Sequence, residues 1–393
     1  MLTPDQIMHC AKSRGWTLMG PTPDHLGGVG TDTRARLDGQ LFVALVGERF
    51  DAHEYIERAV DGGAVALLVQ RLHSARLARR FPGTWVIGVE DTLYALGTLA
   101  QRCRLDDPRK VLAITGSAGK TSARLAAVQA AGAAGYTVHT PPGNENNRIG
   151  VPRFLVNLPP PGPVGELVVV ECGTSEPGEI ARLGAICRPD AALVTSVCAA
   201  HTEQLIDEDG VAHEKGDLLR AAWCHDGIAV CDDDPRLRRA VAQGNRRWFA
   251  PLTDRVSGHD FAGAAAHLVA NAAKVLAALE GLGITLDSTV VAAARLDPPP
   301  GRGGVVAIGD RQVMDDTYNA NELSMLAALD AAAGQRGDRP LVCFLGEMRE
   351  LGEHAETAHR KVAEYAAQTG AKTLIFTGPY AVLSASAAEA AGA

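Results

Sequence analysis

The chain has 393 residues, of which 46% are hydrophobic and 21% charged, and a formal net charge of −8. That length accommodates two or three domains, the balance is that of an ordinary soluble globular protein, and the acidic surplus leaves no basic footprint for nucleic acid. Eight cysteines are scattered without a C-x-x-C pair, the residues after Met1 lack the apolar core of a signal peptide, and no window reaches the length of a membrane span. Reduced thiols and a cytoplasmic location are expected.

Residues 1–108 read as a small α/β unit. Apolar runs at 40–46, 64–69 and 85–89 predict buried strands, with a helix at 54–62 between the first two. The polar run Asp106-Asp107-Pro108-Arg109 reads as a break. Residues 109–298 alternate strand and helix, as a doubly wound, mostly parallel sheet does. Strands are expected at 111–115, 167–171, 192–197 and 227–231, a Pro/Gly loop at 159–165 and an Ala/Leu-rich helix at 264–282. The run from Pro298 to Gly304 (PPPGRGG) is a linker by composition. A third α/β unit, 299–393, follows, with strands at 305–308, 312–314, 341–345 and 373–376 and helices at 321–333 and 354–368. Residues 385–393 read as a soft Ala/Gly tail. The fold class is thus α/β with three domains, 1–108, 109–298 and 299–393, the last apparently incomplete.

The chemistry gathers on VLAITGSAGKTS, residues 111–122. An apolar strand runs into Gly116-Ser117-Ala118-Gly119, and then Lys120, Thr121 and Ser122 open a helix. Strand, glycine loop and helix start cradle phosphates, because glycines let backbone N–H groups approach closely and the helix N-terminus favours anions. Lys120 would sit on the terminal phosphates and the Thr121 hydroxyl on magnesium. Ile114 stands where the longer form of this loop has its first glycine.

Further along, LVVVE ends an apolar strand in Glu171, where a magnesium-holding acid belongs beside a phosphate loop; a solvent-facing strand end is the plainer reading. His201 follows the next strand, and lone histidines are more often structural. Lys215 lies on a helical stretch, where a solvated lysine is the ordinary case. Glu214-Lys215-Gly216-Asp217 fails as a guanine-reading N-K-x-D box because Glu214 replaces the Asn. Residues 143–150 are an amide-dense turn, and Asn321 reads as a helix N-cap.

In this order the pieces resemble the Mur ligase family. The motifs are TDTR (31–34), LFVALVGERFDAHEYI (41–56), TGSAGKTS (115–122), GNENNRIGVP (143–152), ECGTSEPGEI (171–180), AAHTE (199–203), HEKGDLL (213–219), GR (301–302), DDTYNAN (315–321) and LGEMRELGE (345–353). The resemblance implies an ATP-dependent ligase that joins a carboxylate to an amine through an acyl phosphate. Within the family the motifs are most like those of the branch that adds D-Ala-D-Ala to a UDP-linked muramoyl tripeptide for peptidoglycan. It also implies roles. Thr33 and Arg34 would meet the UDP-sugar, and Asn146 and Asn147 the substrate. Lys120 and Thr121, with Gly116, Ser117, Gly119 and Ser122, would hold ATP. Thr121, Glu171, His201 and Lys215 would hold two Mg²⁺ ions, with Lys215 carrying a carbamate. Asn271 would contact adenine, Arg302 the phosphate and Asp316 the ribose region. Tyr318, Asn319 and Asn321 would lie near the amine, an amino acid or dipeptide.

The chain departs from the family at Ala118, Ser196, Cys198 and Leu268, in a shortened stretch between Trp248 and His267, and in a third domain that stops before the family's closing strands. Two alternatives follow: a related ligase of natural-product peptide assembly acting on another carboxylate, and a weakly active subunit that needs a protein partner.

Overall fold

The computed structural model describes all residues except 163–164, 199–204, 206, 242–246, 257–260, 262–264 and 297–299. Contacts divide the chain into two units. One comprises Met1–Ala113, Thr137–Cys172 and Ala181–Pro189; the other comprises Ile114–Tyr136, Gly173–Ile180 and Asp190–Ala393.

The first unit carries β1 (Thr17–Met19), β2 (Val29–Gly30), β3 (Leu41–Val43), β4 (Ala66–Gln70) and β5 (Trp85–Val89). They form a sheet of order β1-β5-β4-β3-β2, with β1 antiparallel to β5 and the other pairs parallel. β3, the first four residues of β4 and all of β5 are buried, so these strands read as continuous apolar runs without alternation. The short edge strands β1 and β2 give no such signal. The helix expected at 54–62 forms as a 3₁₀ turn, Ala52–Tyr55, continued by Ile56–Asp61.

The polar run before the next strand is more than a break. Arg109, with only 4% of its side chain exposed, pairs with Asp107 at 2.5 Å and Glu166 at 3.0 Å and donates to the Pro159 carbonyl at 3.0 Å. Composition marks such a run as loop; the neighbouring Asp107 and two acceptors from distant positions, Pro159 and Glu166, turn it inward.

The central strands are β6 (Lys110–Thr115), β7 (Thr137–His139), β8 (Glu166–Glu171), β9 (Ala191–Val194), β10 (Ile228–Val230) and β11 (Trp248–Phe249). Their sheet order is β11-β10-β9-β6-β8-β7, and the β7–β8, β9–β10 and β10–β11 pairs are parallel. β9 ends at Val194, earlier than its apolar pattern suggests, because the residues after it turn to hydrogen-bond the glycine loop. Helix Lys120–Ala133 buries Ser122, Ala123, Ala126, Ala127, Ala130 and Ala131. This small-residue stripe at four-residue spacing lets helix Ala266–Gly281 pack closely on it.

The last hundred residues hold the antiparallel hairpin β12 (Gly304–Ile308) and β13 (Arg311–Asp315) and the parallel pair β14 (Val342–Leu345) and β15 (Thr373–Phe376). Helices Glu322–Gln335 and Ala355–Gln368 pack around a core that includes Met325, Leu329, Met348 and Val362. The expected soft tail is instead helix Ala381–Ala390, which packs Ala387 and Ala388 on Ala363. Alanine is the strongest helix former, and its small side chain lets the tail sit close to its neighbour. Among the described residues no helix is long and apolar enough to cross a membrane.

Candidate active site

The glycine loop follows β6 directly. Gly116 and Gly119 take φ values of +147° and +80°, which L side chains rarely adopt. A Cβ on Gly116 would fall 1.9 Å from Thr195 Oγ1, and one on Gly119 would fall 2.4 Å from Asn271 Nδ2. Both glycines are therefore required by backbone conformation and by close approach.

Residues after β9 fasten the loop from the side. Ser117 N donates to Ser196 O at 2.9 Å and Ala118 N to Ser196 Oγ at 3.1 Å. Thr195 N donates to Thr115 O at 2.9 Å, and Thr195 Oγ1 to Ala118 O at 2.5 Å. The Ser117 hydroxyl donates to Cys198 O and accepts from Cys198 N, both at 3.1 Å. The amides of Ser117 and Ala118 are thus committed to Ser196, which narrows the simple picture of a loop with all its N–H groups free for phosphate. Lys120 Nζ folds back over the loop and donates to Gly116 O at 2.6 Å. Thr121 is half-buried in the first helical turn, and Ser122 is buried beneath it.

Asn271 packs against this loop. Asn271, buried, faces Gly119 from helix Ala266–Gly281. Lys215 is wholly buried on helix Glu208–Trp223, so the plain expectation of a solvated lysine is wrong. Cys198 reports its surroundings. Burial pushes its thiol up, the Ser117 hydroxyl pulls it down, Glu322 pushes it up, and the ammonium groups of Lys120 and Lys215 pull it down.

Two residues of this unit escaped the sequence reading. Glu214 is buried, and its carboxylate accepts from Gly178 N at 2.7 Å, Ile180 N at 2.8 Å and Thr174 Oγ1 at 3.3 Å. It fastens the Lys215 helix to the GTSEPGEI loop. Lys274, also buried, donates to Thr195 O and pairs with Asp232, both at 2.6 Å. The available signal for Lys274 was a single cation inside the run VANAAKVLAAL, residues 269–279, which has no other charge.

In the last segment Gly301, at φ +73°, turns Arg302 over the ring of Tyr318, 3.9 Å from its centroid. Burial pushes the Asp316 carboxyl up, Arg302 pulls it down and Asp315 pushes it further up. Arg302, Asp316 and Tyr318 are thus one group. Asn319 Oδ1 accepts from Ala320 N, and Asn321 Oδ1 from Ser324 N in a capping box. Both side-chain oxygens serve the backbone.

In the first unit Glu171 is buried at the carboxyl end of β8. His201 lies outside the described residues. The exposed Arg34 forms a forked pair with Asp32, whose carboxyl is held down to about 2, chiefly by that hydrogen bond. Thr33, half-buried, lies between them in the turn. Arg153 joins the TDTR and GNENN motifs: it reaches Thr31 Oγ1 at 3.3 Å and pairs with Glu145. Asn147 Oδ1 accepts from Ile149 N and Gly150 N in the turn that leads into helix Gly150–Val156, and Asn146 is half-buried in the same turn.

Asp51, His53 and His73 also cluster in this unit. His53 Nδ1 lies 2.6 Å from Asp51, and His53 Nε2 accepts from Gln70 N at 2.9 Å. With Nε2 accepting, Nδ1 carries the proton, and neither nitrogen has a lone pair left for a metal.

Comparisons place these features among known proteins. Residues 114–275 match the Mur ligase middle domain, and residues 301–393 match the Mur ligase glutamate ligase domain. The UDP-N-acetylmuramoyl-tripeptide–D-alanyl-D-alanine ligase of Escherichia coli K12 is 36% identical, with 90% of this chain and 81% of that protein covered. The protein of the same name from Bacillus subtilis 168 is 30% identical over 85% of this chain and 76% of its own length. A crystal structure of MurF from Acinetobacter baumannii superposes with a TM-score of 0.84 at 24% identity, covering 99% of this chain and 88% of that one. MurF ligase from Thermotoga maritima in complex with ADP gives 0.75 at 26% identity, covering 91% and 86%.

Proposed function

We propose a substrate pair for a chain that belongs to the Mur ligase family and is an ATP-dependent peptide ligase. It joins D-Ala-D-Ala to a UDP-N-acetylmuramoyl-tripeptide, a step of peptidoglycan precursor synthesis, as the names of its 36% and 30% identical relatives say of those proteins. The similarity to these relatives carries the substrate pair, and the glycine loop with Lys120 at its mouth and Asn271 against Gly119 supports the ATP part. A cytoplasmic location and the three-domain division at residues 108 and 298 belong to the same proposal; the two family matches, beginning at 114 and 301, support the division.

A carboxylate is a poor acyl donor, so the reaction must convert it to an acyl phosphate before the amine attacks. Positioning and charge neutralisation then carry the rate. The loop and helix start of Lys120–Ala133 hold the phosphates. Lys120 leaves the Gly116 carbonyl and turns its ammonium to the transferring group. Asn271 meets the base, Arg302 the phosphate, and Asp316 the ribose. Thr33, Arg34, Asn146 and Asn147 take the UDP-linked substrate, and Tyr318, Asn319 and Asn321 line the amine side. Thr121, Glu171, His201 and Lys215 are the residues that would hold magnesium, which would supply neutralisation of phosphate charge.

Lys215 fits a carbamate. It is wholly buried, and in its neutral form the amine would add CO₂ and release a proton, giving an anion suited to a hard cation. A carbamate resonance in ¹³CO₂-equilibrated protein, lost in Lys215→Ala, tests this; its absence from the active parent overturns it.

The substrate reading is tested by incubating the chain with ATP, Mg²⁺, the UDP-tripeptide and D-Ala-D-Ala. The product should carry the dipeptide mass less one water, with one phosphate released per bond. An active chain that passes over this pair for another carboxylate or amine in a substrate panel overturns it.

A further inference from the structure

Lys274 is a cation with no part in the reaction as described, yet it is among the most deeply placed charges in its unit. Only 3% of its side chain is exposed. An ammonium is costly to bury unless it is paired with good geometry. Here both partners lie 2.6 Å away: the Thr195 carbonyl just beyond the end of β9 and the Asp232 carboxylate just beyond the end of β10.

The position of these partners matters more than their number. In parallel α/β sheets ligands bind beyond the carboxyl ends of the strands. Thr195 is the residue whose N–H and Oγ–H hold the carbonyls of Thr115 and Ala118, on either side of the glycine turn. Its own carbonyl is held by Lys274. One turn before Lys274 on the same helix, Asn271 lies against Gly119. The helix therefore touches the loop directly through Asn271 and indirectly through Lys274 and Thr195.

We propose that Lys274 is a positioning residue of the nucleotide site: its ammonium locks helix Ala266–Gly281, which presents Asn271, to the strand ends that hold the glycine loop. The proposal rests on the reading that this loop binds ATP. It makes the helix and the ends of β9 and β10 one rigid support. Without the lock Asn271 and the loop lose their mutual register, and nucleotide affinity falls while the chemistry on the other substrates is untouched. Lys274→Met keeps the length and apolar stem and removes the charge; Lys274→Arg keeps the charge; Asp232→Asn weakens the pair from its half-exposed side.

The test is titration of the full chain with a fluorescent ADP, together with steady-state kinetics. Lys274→Met should weaken ADP binding about tenfold and raise the KM for ATP alike, the loss of one charged hydrogen-bonding partner. Its kcat at saturating ATP should stay within about threefold of the parent, and its KM for the UDP-peptide should be unchanged. Lys274→Arg should recover most of the affinity. Asp232→Asn should lose about threefold, and the double variant should be no weaker than Lys274→Met alone, since both act through one contact. A folded Lys274→Met with parental ADP affinity overturns the proposal, as does an equal loss for every substrate. If Lys274→Met does not fold, Asp232→Asn decides: parental ADP affinity there overturns it. A parent that binds no ADP fails differently, because it removes the ATP-site reading itself.

Discussion

Gly116→Ala tests the loop geometry most sharply. The φ of +147° lies where only glycine is comfortable, and holding alanine there costs about 1–3 kcal/mol. The new Cβ would fall 1.9 Å from Thr195 Oγ1. The hydroxyl must move and give up its 2.5 Å bond to Ala118 O, worth about 1 kcal/mol net. The expected loss of stability is about 2–4 kcal/mol, measured by urea unfolding of the full chain. Thr195→Ala alone should cost about 1 kcal/mol, and it removes the clashing group. The double variant should therefore be about as stable as Gly116→Ala, and less damaged than the two single losses combined. ADP affinity should fall in Gly116→Ala, because the turn that sets the loop is displaced. A Gly116→Ala protein within about 0.5 kcal/mol of the parent, or strict additivity in the cycle, would refute the reasoning.

Further outcomes follow from other parts of the chain. Arg109→Met should cost about 3 kcal/mol in urea unfolding, because it takes the guanidinium from Asp107 and Glu166, each with under a sixth of its side chain exposed, and leaves them only the residue 109 amide and the His139 and Gly162 contacts; a change below about 1 kcal/mol would show the network to be solvated. Lys120→Ala should abolish ATP turnover while the melting curve stays near the parent's, and parental turnover would exclude the loop as catalytic. Asn321→Ala should lose about 1 kcal/mol through its helix cap, and Asn321→Ser should lose less; equal losses would sink the capping role. His73 is held below the ordinary histidine value, chiefly by burial and then by His53 and Arg76, against the opposing pull of Asp51. The unfolded chain then takes up its proton first as pH falls, so stability should drop as pH falls through about 6.5. The fall in melting temperature from pH 7.5 to 5.5 should be smaller in His73→Gln, and an unchanged slope would refute the assignment.

The local chemistry of this protein is written in its sequence. The apolar run into GSAGKT, the alanine stripe after it, and the continuous apolar strands at 85–89 and 167–171 are set by neighbours a few residues apart, through steric and turn preferences that each residue carries with it. The family resemblance, with its ATP chemistry, rests on those same local motifs. What the tertiary structure alone decided is which polar groups are satisfied and by whom. Ser196 takes up the loop amides from some eighty positions away, and Arg109 finds acceptors at 107, 159 and 166. Lys215, alike in sequence to any surface lysine, and Lys274, marked only by its apolar flanks, are both buried. Helical and strand periods encode which face of an element is apolar, but a charge's burial depends on whether distant backbone and side-chain groups arrive with the right geometry. No period along the chain records that arrival, because it is fixed only when the strands align and bring their carboxyl ends together.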